Sequence, residues 1–437
     1  MNFVKIQLIV ILTGISCIVN TELACGQWIL NAGPMNEGTG YYTATEAVSS
    51  DQGVWIGGPR CCKDRPYSSD TVSSFIDSRL LNAQDVLLEY RLSDSVLFTK
   101  ALSGDSVCFT SQKVSHDFWR SLDLFRKKLK TADPGDLTIP AKVLYFFLIR
   151  PVQDFVSGKR RLIIIPDDAF SDIPFEALIR VDLSTKPTLL PIPYLIGDFE
   201  VIYAFNRGSP DLYQNGGIAY DTGPVTVVPQ TFIGFSPVFS GQGGLDSLPA
   251  SKAEIEIIGD LFQQQGWTSW MVTEQVSLEE YFKTLARYGR IVHLATHYIP
   301  GDPDQGAPGY LFWDYDPAKG NISKSKGILT LNEIHEMDLH ADLVVLNACA
   351  PFREMDDKPD NPASPAHLFL KAGAKNTIST LWNICDRVAE TFMIDFYRCI
   401  LAGRSFSESL RDVKLRLISK PATSLPTIWA PYVLTCR

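Results

Sequence analysis

The chain lacks an excess of basic residues: 40 Lys and Arg stand against 49 Asp and Glu, a formal charge of −9. Phosphate backbones are held by clustered Lys and Arg, and the densest run, Lys159-Arg160-Arg161, is short, so nucleic acid is excluded as a partner. After the first 26 residues nothing is long and apolar enough to cross a bilayer. The best stretch, Val143 to Ile149, is half a helix with Pro151 kinking its end. A phosphate loop of the G-x-x-x-x-G-K-[ST] type and a G-x-S-x-G nucleophile elbow are both missing. Gly241-Gln242-Gly243-Gly244 runs into Asp246 where a dinucleotide loop wants Gly. No tandem repeat of solenoid length is visible. With 45% apolar and 20% charged residues, the composition excludes disorder and fibrous folds.

What is present is an ordinary globular chain of 437 residues with nine cysteines. Residues 1–26 read as a secretory signal peptide: Lys5, an apolar stretch from Ile6 to Val19, then Ala24-Cys25-Gly26 as a small-x-small cleavage site. This predicts a secreted or periplasmic protein with no stable membrane span after cleavage; an uncleaved N-terminal membrane anchor is the alternative. Cys17 and Cys25 leave with the signal. The remaining seven are odd in number, so at least one thiol stays unpaired within a monomer. Residues 27–78 are rich in Gly, Ser and Asp and read as loop-rich. Their adjacent Cys61 and Cys62 suit structural disulfides better than a metal, since no His or second Cys pair sits at ligand spacing.

Regular patterning begins near residue 79. Val86–Tyr90 and Ser95–Thr99 predict two paired strands, and Phe118–Leu129 a helix. Together they form an annex over 79–139. A further helix is predicted over Ala141–Val156. Arg161-Leu-Ile-Ile-Ile165 is a continuous β-branched run, as in a strand buried on both faces. The C-terminal half then alternates strand and helix, with strands at 231–235, 291–295, 343–347 and 376–381. Ser251–Glu254 and Ser277–Glu280 have capping-box spacing, Ser364-Pro365 opens a helix closed by Gly373, and Asp386 begins a long helix running to Gly403. Alternating β and α elements predict an α/β fold, a three-layer sandwich around a mostly parallel sheet.

In such a sheet, ligands sit beyond the carboxyl ends of the strands. One apolar strand closes on Thr296-His297 and another on Ala348-Cys349. If the two strands are neighbours, an imidazole and a thiol meet at one sheet edge, as a Cys/His nucleophile system requires. Cys385 and Cys399 read instead as buried structural thiols. His293 and His297 have H-x-x-x-H spacing, but on a strand four residues span roughly 13 Å, too far to share a metal, and Leu294 stands where a zinc hydrolase would have Glu.

The run Arg161-Leu-Ile-Ile-Ile-Pro-Asp-Asp-Ala-Phe-Ser-Asp-Ile-Pro-Phe-Glu-Ala-Leu178 resembles the strand and P-F-E-A-L signature of CHAT-domain proteins, the separase-like and caspase-like cysteine peptidases of clan CD type. Further matches follow in order: Leu248-Pro-Ala-Ser251 with Glu254, His293-Leu-Ala-Thr-His297, Gly327–Ile334, Asp342-Leu-Val-Val-Leu-Asn-Ala-Cys349, and Trp429–Leu434. They span about residues 140–437. The resemblance implies a caspase-haemoglobinase-like fold and a cysteine endopeptidase acting on protein or peptide substrates without metal or cofactor. It also implies His297 and Cys349 as the catalytic dyad, an oxyanion hole from the backbone N–H groups of Tyr298 and Cys349, and Asp386 near the pocket for a basic P1 side chain. As the first residue of a predicted helix, Asp386 also reads as an N-cap. The sequence departs from the family at Tyr298, where Gly is usual, at Ala350-Pro351-Phe352-Arg353 in place of C-x-T-G's continuation, and at Asn361-Pro362-Ala363. A degenerate pseudo-peptidase that binds a partner without cleaving it is the competing expectation.

Overall fold

The structure, a computed structural model, describes residues 81–437 apart from position 105 and segments 132–136, 182–191, 205–228, 238–247, 300–307, 314–326 and 349–363. It also describes the backbone of three N-terminal strands, Ile6–Leu12, Ile15–Ala24 and Gln27–Asn31, which pair antiparallel with one another. Cys61, Cys62, Cys349 and the departures at 350–353 and 361–363 lie outside the described residues.

The central feature is an eleven-stranded sheet. Its strands are β1 (Asp85–Ser93), β2 (Val96–Ser103), β3 (Ser106–Lys113), β4 (Arg161–Ile165), β5 (Glu200–Ala204), β6 (Thr231–Ser236), β7 (Thr268–Thr273), β8 (Ile291–Ala295), β9 (Leu343–Asn347), β10 (Asn376–Thr380) and β11 (Tyr432–Cys436). Across the sheet they run β7-β6-β8-β9-β10-β11-β5-β4-β1-β2-β3. Pairing is parallel from β7 to β10 and again from β11 to β1, with an antiparallel seam between β10 and β11 and an antiparallel β1-β2-β3 meander at one edge. The predicted strand pair at 86–99 is therefore part of the main sheet, since β1 pairs with β4. Asp94 and Ser95, both at positive φ, make the two-residue turn that joins β1 to β2.

Helices cover both faces, as predicted for a three-layer sandwich. Those used below are α1 (His116–Leu129), α2 (Thr138–Leu148), α3 (Pro249–Gln264), α4 (Glu279–Leu285), α5 (Leu331–Glu336), α6 (Pro365–Lys371), α7 (Asp386–Leu401) and α8 (Phe406–Ile418). Strand side chains alternate between the layers. Ile163, Ile202, Ile291, Val345 and Leu434 pack under α3, α7 and α8. Leu162 and Ile164 join α1 and α2 on the other face, where Val292, Leu294, Val344 and Leu346 meet α4, α5 and α6. The helix predicted over 141–156 ends at Leu148, and Pro151 lies in the 3-10 turn Arg150–Val152 that follows.

Neither predicted capping box forms. Ser251 bonds the Leu248 carbonyl and the Ser236 hydroxyl, while α4 opens without a side-chain cap. Capping boxes occur instead at Thr330–Glu333 and Ser405–Glu408. Gly373 closes α6 at φ +113°, and a Cβ there would meet the Leu339 carbonyl oxygen at 2.0 Å.

The Pro174–Leu178 motif follows β4, whose carboxyl end points to the edge opposite that of β8 and β9. The Tyr203 hydroxyl accepts from the Phe175 N–H and donates to Glu176 Oε2, and Lys414 Nζ of α8 donates to Glu176 Oε1 at 2.9 Å. Desolvation, then the Glu176 charge, keeps the Tyr203 hydroxyl protonated well above the usual tyrosine range. Glu176 and Lys414 are both buried, so the motif serves as an internal latch between the segment after β4 and α8. Lys414→Met leaves a buried carboxylate without its cation, and urea unfolding should show a loss of about 3–5 kcal/mol, partly recovered by adding Glu176→Gln.

Candidate active site

The chain leaves β6 toward the sheet edge through α3 and β7, returns to β8, and then proceeds the other way through β9 and β10. Beyond the carboxyl ends of β6 and β8 the crossovers diverge. A parallel sheet opens a crevice at such a switch point. The condition set by the sequence is met: β8 and β9 are parallel neighbours, and Ala295 pairs with Asn347. His297 lies two residues beyond Ala295, and Cys349 two residues beyond Asn347.

The turn carrying His297 is pinned by a small three-stranded antiparallel sheet made of Tyr298–Ile299, Gly309–Leu311 and Ile328–Thr330. Thr296 Oγ1 donates to the Leu311 carbonyl at 2.6 Å, and the Leu311 N–H donates to the His297 carbonyl at 2.9 Å. With Tyr298 opposite Tyr310, that bond makes them a non-hydrogen-bonded pair, so the Tyr298 N–H faces the outer side of its strand. Tyr298 sits in ordinary extended backbone, and its ring packs edge-on against Tyr310 at 5.2 Å. The bulk that replaces the family's Gly is thus absorbed by the core. On the β9 side, Thr380 Oγ1 of β10 donates to the Ala348 carbonyl at 2.9 Å, fixing the peptide that leads into Cys349.

Asp386 does not cap its own helix; Cys385 is the N-cap of α7 and makes no side-chain cap bond. Asp386 Oδ2 instead accepts the Ala250 N–H at 2.8 Å, capping α3 from across the site. Burial raises its carboxyl above the usual carboxylate range; the Ala250 N–H opposes this, the Glu254 charge adds to it, and His297 lowers it. Asp386 thus feels both the imidazole and the buried carboxylate of α3.

Beneath this edge, sequence reasoning gives Glu254 only a capping role and gives Asn347 and Tyr432 none. Glu254 of α3 is fully buried, with Oε1 2.9 Å from His293 Nε2 and both oxygens accepting from Asn347 Nδ2 at 2.9 Å. Tyr432 donates its hydroxyl to Asn347 Oδ1. A charged residue on the core-facing stripe of α3 was the available signal. His293 is enclosed here while His297 is partly exposed, and among the described residues no three His, Cys, Asp or Glu side chains are grouped to hold a metal. Cys399 is buried as expected, but Cys385 is exposed. No helix among the described residues is long and apolar enough to cross a membrane.

A carboxyl group with a raised folded-state pKa favours folding when protonated, and that contribution is lost as pH rises through the folded value. Relative to wild type, Asp386→Asn should therefore gain stability as pH climbs from about 3 to 6, because the amide oxygen still accepts from Ala250. Asp386→Ala shares that pH dependence but also loses the cap, and should lie about 1 kcal/mol below Asp386→Asn throughout. Urea unfolding across that range checks both; an Asn variant that loses ground with rising pH contradicts the assignment.

By sequence, no curated protein matches the chain. Among solved structures, the Arg-specific cysteine proteinase gingipain R matches at 10% identity and TM-score 0.41, over 66% of this chain and 67% of that one. The complex of Porphyromonas gingivalis RgpB pro- and mature domains matches at 10% identity and TM-score 0.41, over 74% and 77%. A Saccharomyces cerevisiae separase–securin complex matches at 11% identity and TM-score 0.46, over 82% of this chain but only 30% of that one. The profile of the CHAT domain matches residues 138–437. The chain belongs to the CHAT-domain family, which it enters with an α/β fold built on a mostly parallel sheet.

Proposed function

We propose that the protein is a cysteine endopeptidase exported by way of residues 1–26, with Cys349 as nucleophile and His297 as general acid and base. The observation that supports this reading is the β8/β9 register, which pairs Ala295 with Asn347; in the sequence, His297 and Cys349 each follow two residues later. His297 takes the thiol proton, and the thiolate forms a C–S bond to the scissile carbonyl carbon. The resulting oxyanion is received by the backbone N–H groups of Tyr298 and Cys349. His297 then gives its proton to the leaving amine as the C–N bond breaks, leaving a thioester. Water, deprotonated by His297, adds to the thioester carbon; the C–S bond breaks, the peptide acid departs and the thiol is restored.

The extended backbone of Tyr298, with its N–H turned outward, supports the oxyanion role despite the missing Gly. Asp386 is the candidate for attracting a basic P1 side chain, its half-buried carboxyl being close enough to sense His297. Cys349 stays a thiol in an oxidising compartment only where the surrounding loops shield it, since low-pKa thiolates oxidise readily.

Incubation of the mature chain with a panel of peptidyl electrophiles, followed by mass-spectrometric mapping, tests the assignment. Labelling is expected at Cys349 and absent in Cys349→Ala. His297→Ala should slow it by about 100-fold or more, the usual worth of a general base. A wild-type protein as inert as Cys349→Ala across the panel points to a partner-binding pseudo-peptidase instead.

A further inference from the structure

Glu254 is a carboxylate with no exposure, on the second turn of α3, between the two strands that lead to the dyad. The β8/β9 register pairs His293 with Val345 and Ala295 with Asn347, so His293 and Asn347 are diagonal neighbours on one face of the sheet. Both oxygens of Glu254 accept from Asn347 Nδ2. Its Oε1 lies at ion-pair distance from His293 Nε2. Asn347 is braced from the far side by the Tyr432 hydroxyl of β11. Above, the first turn of the same helix is tied to Asp386 through Ala250. The Tyr397 ring of α7 lies 5.6 Å from the His293 ring, and its buried hydroxyl stays protonated well above the usual range through desolvation and the Glu254 charge.

An apolar side chain would pack against this face without the cost of burying a charge. What it could not supply is directional bonding to a particular atom of β9 beside a particular ring of β8. Resting on the dyad reading above, we propose that Glu254 is a positioning residue: it clamps His293 and Asn347 together and thereby sets the height at which β8 and β9 hand over to His297 and Cys349. His293 precedes His297 by four residues and Asn347 precedes Cys349 by two, so a slip at the clamp is passed directly to the reacting groups.

The test is alkylation of Cys349 by iodoacetamide in the full chain, mapped by mass spectrometry and followed against pH, which needs no peptide substrate. In the wild type the thiolate persists below the ordinary thiol pKa of about 8.5, and His297→Ala moves the profile up to it. Glu254→Gln and Asn347→Asp each slow alkylation at pH 6 by about tenfold or more. Made together, the two substitutions restore an amide-to-carboxylate hydrogen bond in the reverse sense and leave Tyr432 an acceptor, so the double variant returns to within about threefold of wild type. Tyr432→Phe, which deletes one hydroxyl, slows alkylation about threefold and guards against single variants that do not fold.

A folded double variant no faster than the singles, or a Tyr432→Phe or Glu254→Gln protein with the wild-type profile, overturns the positioning role while leaving the dyad intact. A wild-type profile already equal to that of His297→Ala overturns the dyad, and the clamp's purpose with it.

Discussion

Everything at the candidate site depends on the parallel pairing of β8 with β9. Because side chains alternate along a strand, a one-residue slip of β8 would send His293 to the opposite layer and turn the apolar Val292 and Leu294 toward the polar groups of α3 and α7, and a slip of β9 would do the same with Asn347, Val344 and Leu346. The register is therefore held by burial on both faces. Its functional consequence is local: it matches the ends of the two strands, Ala295 opposite Asn347, from which the sequence runs on to His297 and to Cys349.

Burial alone would leave those ends free to fray, and the surrounding bonds address this. On the β8 side, Thr296 and the His297 carbonyl are stitched to Leu311; on the β9 side, Thr380 holds the Ala348 carbonyl. Asp386 and Glu254 then tie α3 to α7 and to the strands beneath. A second polar latch, Glu176 with Lys414 and Tyr203, secures the other half of the sheet, beyond the β10/β11 seam. Buried charge is expensive in each place, and in each it joins elements far apart in sequence, which suits fixed geometry better than raw stability.

Much of this was legible in the sequence. Arg161–Ile165, Ile291–Ala295 and Leu343–Asn347 are short unbroken apolar runs because both faces are covered, and each forms a fully or nearly fully buried strand. The position of His297 just past the end of β8 followed from the same pattern. Among the strands not foreseen, β5 begins with Glu200, which is buried against Arg161 and Ser407, and β7 is a half-exposed edge strand. Caps were misread for a different reason. Ser-x-x-Glu spacing cannot tell whether a glutamate turns back to its own helix end or into the core, and Glu254 does the latter. The bond that does cap α3 comes from Asp386, 136 residues away, and no local pattern carries that information. Tyr298, a bulky residue where the family has Gly, is accommodated because its strand is extended and its ring has Tyr310 to lie against.

The proposed dyad requires β8 and β9 to deliver His297 and Cys349 to a common point. A crystal structure of the mature protein covalently trapped with a peptidyl electrophile measures this directly. The inhibitor is expected to be joined to Cys349 Sγ, with a His297 ring nitrogen within about 4 Å of that sulfur and the trapped oxygen facing the Tyr298 N–H. An adduct on another residue, or a Cys349 sulfur separated from the His297 ring by about 7 Å or more, contradicts it.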